Sequence, residues 1–394
     1  MRVTIVSRIY APETAAASTY LAAVAESFAE RGHDVTVMTV RPPKTIPYDD
    51  SVNGIRIRRA PVLRDEHGYV RGYLSYLSFD VPLFFRLLFS RRADLYFVEP
   101  PPTTGVVVWM VSFLRRTRFV YRAADLWSDA AATVTSSGLV LRLLRAFETG
   151  VLRASTMSFA ASQGLLERMR EIGISSPAMV AGSGADTEVY RYDSAVARTD
   201  EPYFIYAGTF SEWQGASVFV EGFAKFVADH PDFRLIYIGS GSDRALLQER
   251  SRSLGVSTVE FREPVPGPAL NVLLNNAVAS VASLRPGMGY DYAFPSKILT
   301  SLAAGCPVIF AGVGPTVPFL REAAINATVG EAVEYDADEV SAAMRRIVEA
   351  PASPVARRRL SEWTREHHSL SSTCGKVVSA CEEILAQSRQ SNSA

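Results

Sequence analysis

Cysteine is scarce in this chain. Its three cysteines, Cys306, Cys374 and Cys381, are too few and too unevenly spaced for a disulfide framework or a zinc site, and a reducing compartment is the expected home. Net charge is also missing. The 41 basic and 41 acidic side chains cancel, so no global field draws the protein to nucleic acid. No apolar run reaches the roughly 18 to 20 residues that span a bilayer. Arg86, Arg91 and Arg92 break one apolar patch, and Arg115 and Arg116 break another. The opening MRVTIVSRIYAPE is too short and wrongly flanked for a signal peptide. These absences predict a cytoplasmic protein, at most peripheral on the inner face of the membrane.

Several chemistries lack their motifs. Gly239-Ser240-Gly241 follows a strand but has no third glycine, which argues against a nicotinamide site, and no P-loop occurs. Gly182-Ser183-Gly184 fails the spacing of a nucleophile elbow. Asp336-Ala337-Asp338 stands just before a helix, where capping and the helix dipole explain it. His367 and His368 close a helix, where cations are favoured. No metal site is expected from either.

What is present is alternation. With 394 residues, 48% of them hydrophobic, the chain has the length for two globular domains. A strand at 3–6, an amphipathic helix at 16–30 and a strand at 34–38 form a βαβ unit, hence a parallel sheet. The first βα loop carries Arg8 and Glu13 at the ligand-binding end of such a sheet. Further strands are expected at 94–98, 119–121 and 155–161, with helices at 106–114 and 139–152. Asp125 falls at the carboxyl end of a strand and is followed by Leu126-Trp127-Ser128-Asp129. It suits accepting a hydrogen bond from a hydroxyl, and equally suits capping the next segment. Tyr69 to Arg92 mixes aromatics with arginines and reads either as an interfacial amphipathic segment or as a core helix with a basic tail.

Residues 181–200 are polar and turn-rich, as a linker would be. A second α/β alternation follows, with strands at 203–208, 234–238, 259–261 and 279–284. It culminates in the stretch from Gly289 to Phe310: a loop, a helix opened by Pro295-Ser296-Lys297, a stop at Gly305 and a buried strand. A helix N-terminus with a lysine in its first turn suits a phosphate, and also suits an ordinary βα unit with a solvated lysine. Helices are expected at 355–366 and 373–386.

Taken together, these pieces resemble the retaining GT-B nucleotide-sugar glycosyltransferases of family four, most closely the branch that assembles cell-surface polysaccharides. Tyr10-Ala11-Pro12-Glu13 is similar to that branch's opening loop, and Arg31-Gly32-His33-Asp34-Val35 to its RGHxV turn. Asp125-Leu126-Trp127 matches DLWP up to the proline, which is Ser128 here. Gly184-Ala185-Asp186-Thr187 is similar to the linker motif NGVDT. Gln214-Gly215 matches the start of the first donor-domain helix, and Pro295 to Ile309 the PSK…AAGxPVI segment.

The resemblance implies an α/β fold of two doubly wound Rossmann-like domains facing across a cleft. Residues 1–190 would bind the acceptor and 200–370 the donor, with a helix and tail at 371–394 crossing back to the first domain. It implies sugar transfer with retention from a nucleotide sugar to a cell-envelope or glycoconjugate acceptor, sugar or lipid-linked. No cofactor and no metal are implied, and no nucleic-acid partner. Donor contacts would come from Gly208, Thr209, Arg262, Val265, Arg285, Ser296, Lys297 and Thr300. Asp125 and Glu13 would serve catalysis, with Arg8, Arg122 and Trp127 on the acceptor side. A peripheral membrane contact through 69–92 is also expected. The sequence departs from the family where it binds the donor. Tyr292 and Thr300 replace two glutamates, and Gln214 stands in place of the lysine of a basic phosphate clamp. Two other readings follow from these departures: a GT-B-shaped binding protein without donor affinity, or a transferase using a lipid-phosphate donor.

Overall fold

A computed structural model describes residues 1–13, 16–43, 48–65, 70, 72–134, 137–196, 201–323 and 330–391. The chain divides into two compact units, 1–182 with 371–394, and 183–370. The division falls earlier than the expected 190, because the turn-rich stretch after Gly182 belongs to the second unit. There Ala185 bridges to Ser369, and the Tyr192 N–H donates to Ser361 Oγ at 3.0 Å.

The first unit is built on strands β1 (Arg2–Val6), β2 (Asp34–Val40), β3 (Ser51–Val52), β4 (Ile55–Ala60), β5 (Leu95–Val98), β6 (Arg118–Ala123), β7 (Met157–Ala160) and β8 (Ala178–Val180). They lie in the order β3-β4-β2-β1-β5-β6-β7-β8, parallel except for the β3–β4 pair. Its helices are α1 (Ala16–Glu30), α2 (Tyr73–Phe89), α3 (Pro102–Arg115), α4 (Trp127–Val134), α5 (Gly138–Ala154) and α6 (Gln163–Glu171). The expected helix at 16–30 forms with those bounds, burying Leu21, Val24, Ala25 and Phe28. The proline run at 100–102 does more than end β5. Pro102 is the first residue of α3, where its missing N–H costs nothing.

The second unit holds β9 (Tyr203–Ala207), β10 (Arg234–Ile238), β11 (Val259–Arg262), β12 (Ala279–Leu284), β13 (Val308–Gly312) and β14 (Gly330–Val333). Their order is β11-β10-β9-β12-β13-β14, parallel throughout. The helices are α7 (Ser217–Val227), α8 (Arg244–Ser253), α9 (Gly267–Asn276), α10 (Lys297–Ala303), α11 (Thr316–Ala323), α12 (Ala337–Glu349) and α13 (Pro354–His368). As expected, Asp336 caps α12, its Oδ1 accepting from the N–H groups of Asp338 and Glu339 at 2.8 and 3.2 Å. The last helix, α14 (Leu370–Ser391), packs with the first unit. Its Glu382 accepts from Arg31 at 2.9 Å and bonds the His33 ring at 2.7 Å.

Both sheets reverse their winding at one point, between β1 and β5 in the first and between β9 and β12 in the second. In such sheets the loops leaving the two central strands diverge and open a crevice at the carboxyl ends. Arg8, after β1, and Gly208, after β9, lie on the loops leaving these central strands. All three cysteines are buried and unpaired, and among the described residues no group of His, Cys, Asp or Glu could hold a metal ion.

Candidate active site

In the second unit the turns after β9 and β10 are stitched backbone to backbone. The Gly208 N–H donates to Ile238 O at 2.9 Å and the Phe210 N–H to Ser240 O at 3.0 Å. A Cβ on Gly239 would lie 1.9 Å from Gly208 O, and one on Gly241 2.2 Å from Phe210 O. Both glycines of the G-x-G are therefore needed for this seam.

The loop from Gly208 to Gly215 is then laced to the segment after β12. The Arg285 N–H donates to Trp213 O at 2.9 Å, Ser283 Oγ donates to Gln214 O at 2.6 Å, and the Trp213 and Tyr290 rings stack with centroids 4.6 Å apart. Tyr335 closes the far side, its hydroxyl donating to Gly215 O at 2.6 Å.

Lys297, at the start of α10, reaches back into this lattice. Its Nζ donates to Gln214 Oε1 at 2.8 Å and sits 3.7 Å from the centre of the Tyr206 ring. Gly208 leaves room for it: a Cβ there would meet Lys297 Cε at 2.9 Å. Burial pushes the Lys297 pKa well below that of an ordinary lysine. Gln214 supplies an acceptor that a lysine in its place could not. The Tyr206 hydroxyl also bonds Gln214 Oε1.

The remaining donor candidates take varied places. Arg285 is exposed at the end of β12, Thr209 is exposed, and Ser296 is half-buried. Thr300 lies inside α10, its Oγ1 3.4 Å from Ser296 O. Val265 packs on the core beneath β10. Arg262 ends β11 beside Gly239, yet its guanidinium is engaged by Glu260 at 2.7 and 3.1 Å. Arg244 joins the site without having been signalled by any motif. It donates to Gly239 O at 3.2 Å and pairs with Glu263 at 2.7 Å.

In the first unit, Arg8, Glu99, Arg122 and Asp125 gather at the carboxyl ends of β1, β5 and β6. Arg122 is buried, forms an ion pair with Glu99 and lies 3.8 Å over the Tyr20 ring. Burial lifts the Glu99 carboxyl above its ordinary range against the opposing pull of Arg122. Arg8 is buried with its guanidinium 3.7 Å over Tyr76, and burial lowers its pKa to about 10. Burial raises the Asp125 carboxyl to about 6, opposed by Arg122. Arg8 Nη1, Glu99 Oε2 and Asp125 Oδ1 are buried with no hydrogen-bond partner among the described residues. Orphaned buried polar atoms are costly and uncommon, and these three make the end of the sheet a candidate binding site.

Glu13 is held apart from this group by Arg64, whose Nη2 donates to it at 3.1 Å. The Trp127 N–H donates to Glu148 Oε1 at 2.6 Å, and both the N–H and the hydroxyl of Ser128 bond Glu148 Oε2. A buried glutamate on α5 thus caps α4, and Ser128 provides two of its donors.

Two Rossmann-like units, each a parallel sheet with one switch point, are the architecture of the GT-B fold. Residues 16–181 match the glycosyl transferase 4-like domain family and residues 201–350 match the glycosyl transferases group 1 family. The chain belongs to the GT-B glycosyltransferases. Sucrose-phosphate synthase from Thermosynechococcus elongatus superposes with a TM-score of 0.76 at 18% identity, over 98% of this chain and 99% of that one. Anabaena HepE, solved with UDP and glucose, gives 0.74 at 14% identity over 97% and 100%. WaaG, a glycosyltransferase involved in lipopolysaccharide biosynthesis, gives 0.66 at 17% identity over 95% and 98%. No curated protein matches the sequence.

Proposed function

We propose that the chain transfers a sugar, with retention and without a metal, from a nucleoside-diphosphate sugar to a cell-envelope or glycoconjugate acceptor. The observation that carries the reading is Lys297, an amine held above Gly208 and Tyr206 at the switch point of the second sheet. A diphosphate arriving there favours the protonated amine and receives a charge-assisted hydrogen bond. Arg285, on the adjoining loop, adds a second cation. Support also comes from HepE, solved with UDP-glucose.

The first unit takes the acceptor. Asp125, its carboxyl poised near neutrality, accepts a hydrogen bond from an acceptor hydroxyl. Arg8 and Arg122 set the charge around it, and Trp127 lines the approach. The leaving phosphate takes the hydroxyl proton, so no protein nucleophile is needed and Glu13, neutralised by Arg64, supports the loop. Thr300 offers the ribose a weaker contact than a glutamate would. That substitution also favours a second reading, a lipid-phosphate donor that presents no ribose.

A calorimetric panel of UDP, GDP, TDP, ADP and CMP tests the proposal. One clear binder among the diphosphates is expected. A folded protein that binds none of them refutes nucleotide-sugar transfer.

A further inference from the structure

Helix α2 is apolar on two sides. One stripe, Phe79, Leu83 and Leu87, is buried in the first unit. The other, Leu74, Leu77, Val81, Phe85 and Phe89, recurs at helical spacing and is exposed, Phe89 to 80%. Helix α3 continues this surface with Met110, Phe113 and Leu114, Phe113 being 79% exposed, and α5 adds Leu139, Leu143 and Phe147. The three helices form one face. Arg115 Nη1 donates to Leu88 O and Ser90 O at 3.1 and 2.9 Å, tying the end of α3 to the end of α2. Gly150 leaves space for Trp109, since a Cβ there would approach its ring at 3.3 Å. A groove of about 350 Å³ runs between the helices, walled by Phe84, Phe85, Val106, Met110 and Phe147. Contiguous apolar surface on this scale is rare on a protein that contacts only water.

The exposed charges on the three helices and at their ends are basic, although Arg91 is paired with Asp34 at 3.5 Å. Arg91, Arg92, Arg116 and Arg142 are exposed at the ends of the three helices. The only acidic side chains within them, Asp80 and Glu148, are buried. Arg86, expected to join this basic set, points elsewhere and donates to Arg58 O at 2.8 Å. Tyr69 and Arg71 of the expected contact lie outside the described residues. No helix among the described residues is long and apolar enough to cross a membrane.

We infer that the α2–α3–α5 face docks on an anionic lipid bilayer, its phenylalanines and leucines entering the headgroup–acyl boundary and its arginines meeting lipid phosphates. A second copy of the chain is the poorer occupant, because two such faces would oppose like charges.

The test is co-sedimentation of the full chain with phosphatidylcholine vesicles, with and without phosphatidylglycerol. The unmodified protein is expected to pellet with the anionic vesicles. Arg92→Gln, Arg116→Gln and Arg142→Gln combined should weaken this by about fivefold per arginine, about a hundredfold in all. Phe89→Asp with Phe113→Asp should abolish binding to either vesicle. These side chains are exposed, so thermal unfolding should match the parent and show that the variants fold. Unmodified protein that stays in the supernatant with every vesicle overturns the inference. So does equal partitioning of the variants, or a concentration-dependent dimer that Phe89→Asp dissolves.

Discussion

Replacing Lys297 by methionine removes the amine and keeps most of the side-chain volume. In the parent the amine donates to Gln214 Oε1 at 2.8 Å, and burial holds its pKa well below the ordinary value. The sign of the resulting pH dependence follows from proton counting. Between the lowered folded pKa and the ordinary lysine value, the unfolded chain carries a proton that the folded chain lacks, so parent stability rises with pH in that window. Each unit of lowering costs the parent about 1.4 kcal/mol at lower pH, against about 1 kcal/mol for the bond to Gln214. Lys297→Met should therefore lose this rise in stability, and its advantage over the parent should be largest at pH below the lowered pKa. Binding is expected to move the other way. A charge-assisted hydrogen bond to phosphate contributes about 1.5–3 kcal/mol, so the Kd for the nucleoside diphosphate should rise roughly 10- to 150-fold, with little change for the nucleoside. Calorimetry in buffers of different ionisation enthalpy should show proton uptake when the parent binds diphosphate at alkaline pH, and none in the variant. Equal weakening of nucleoside and diphosphate, or uptake unchanged by the substitution, would refute the phosphate role.

Two further substitutions probe the frame around the sites. Ser128→Pro restores the family's residue but removes an N–H and a hydroxyl from Glu148, whose carboxyl burial already raises to about 6. It is expected to cost about 2 kcal/mol, more above pH 6 than below it because the ionised carboxylate is the form left short of donors; urea melts at two pH values check this, and a pH-independent loss would contradict the capping role. Arg357, buried, donates to Gly305 O, Ala277 O and Leu274 O at 2.8, 3.0 and 3.0 Å and so closes the ends of α9 and α10. Arg357→Met should destabilise the protein by about 3–5 kcal/mol, read as a shift of the denaturation midpoint, and a change under 1 kcal/mol would show that water replaces the guanidinium.

Much of the architecture was legible as period and punctuation. The helix at 16–30 repeats its apolar residues on one side and ends before Gly32, and Pro295-Ser296-Lys297 to Gly305 frames α10, because those signals are local. Helices α4, α6 and α11 are short and carried too little periodicity to read. The two switch points depend on strand order, which is set by pairings between residues far apart in the chain. The same limit governed the sites. Asp125 and Gly208 could be singled out from motifs that place them at strand ends, and Lys297 from one that opens a helix. That Lys297 turns onto Gln214, that Arg64 occupies Glu13 and that Glu260 occupies Arg262 are choices among partners distant in sequence or facing along a strand.

The apolar residues of 73–89 show the division most plainly. Sequence determined that α2 would carry two apolar stripes, since Phe79, Leu83 and Leu87 alternate around the helix with Val81, Phe85 and Phe89. Which stripe would enter the core was decided only by the tertiary structure. Packing against α3 buries one face, and no described element covers the other. Burial free energy belongs to surface removed from water by a neighbour, and the identity of that neighbour is not a local property of the chain.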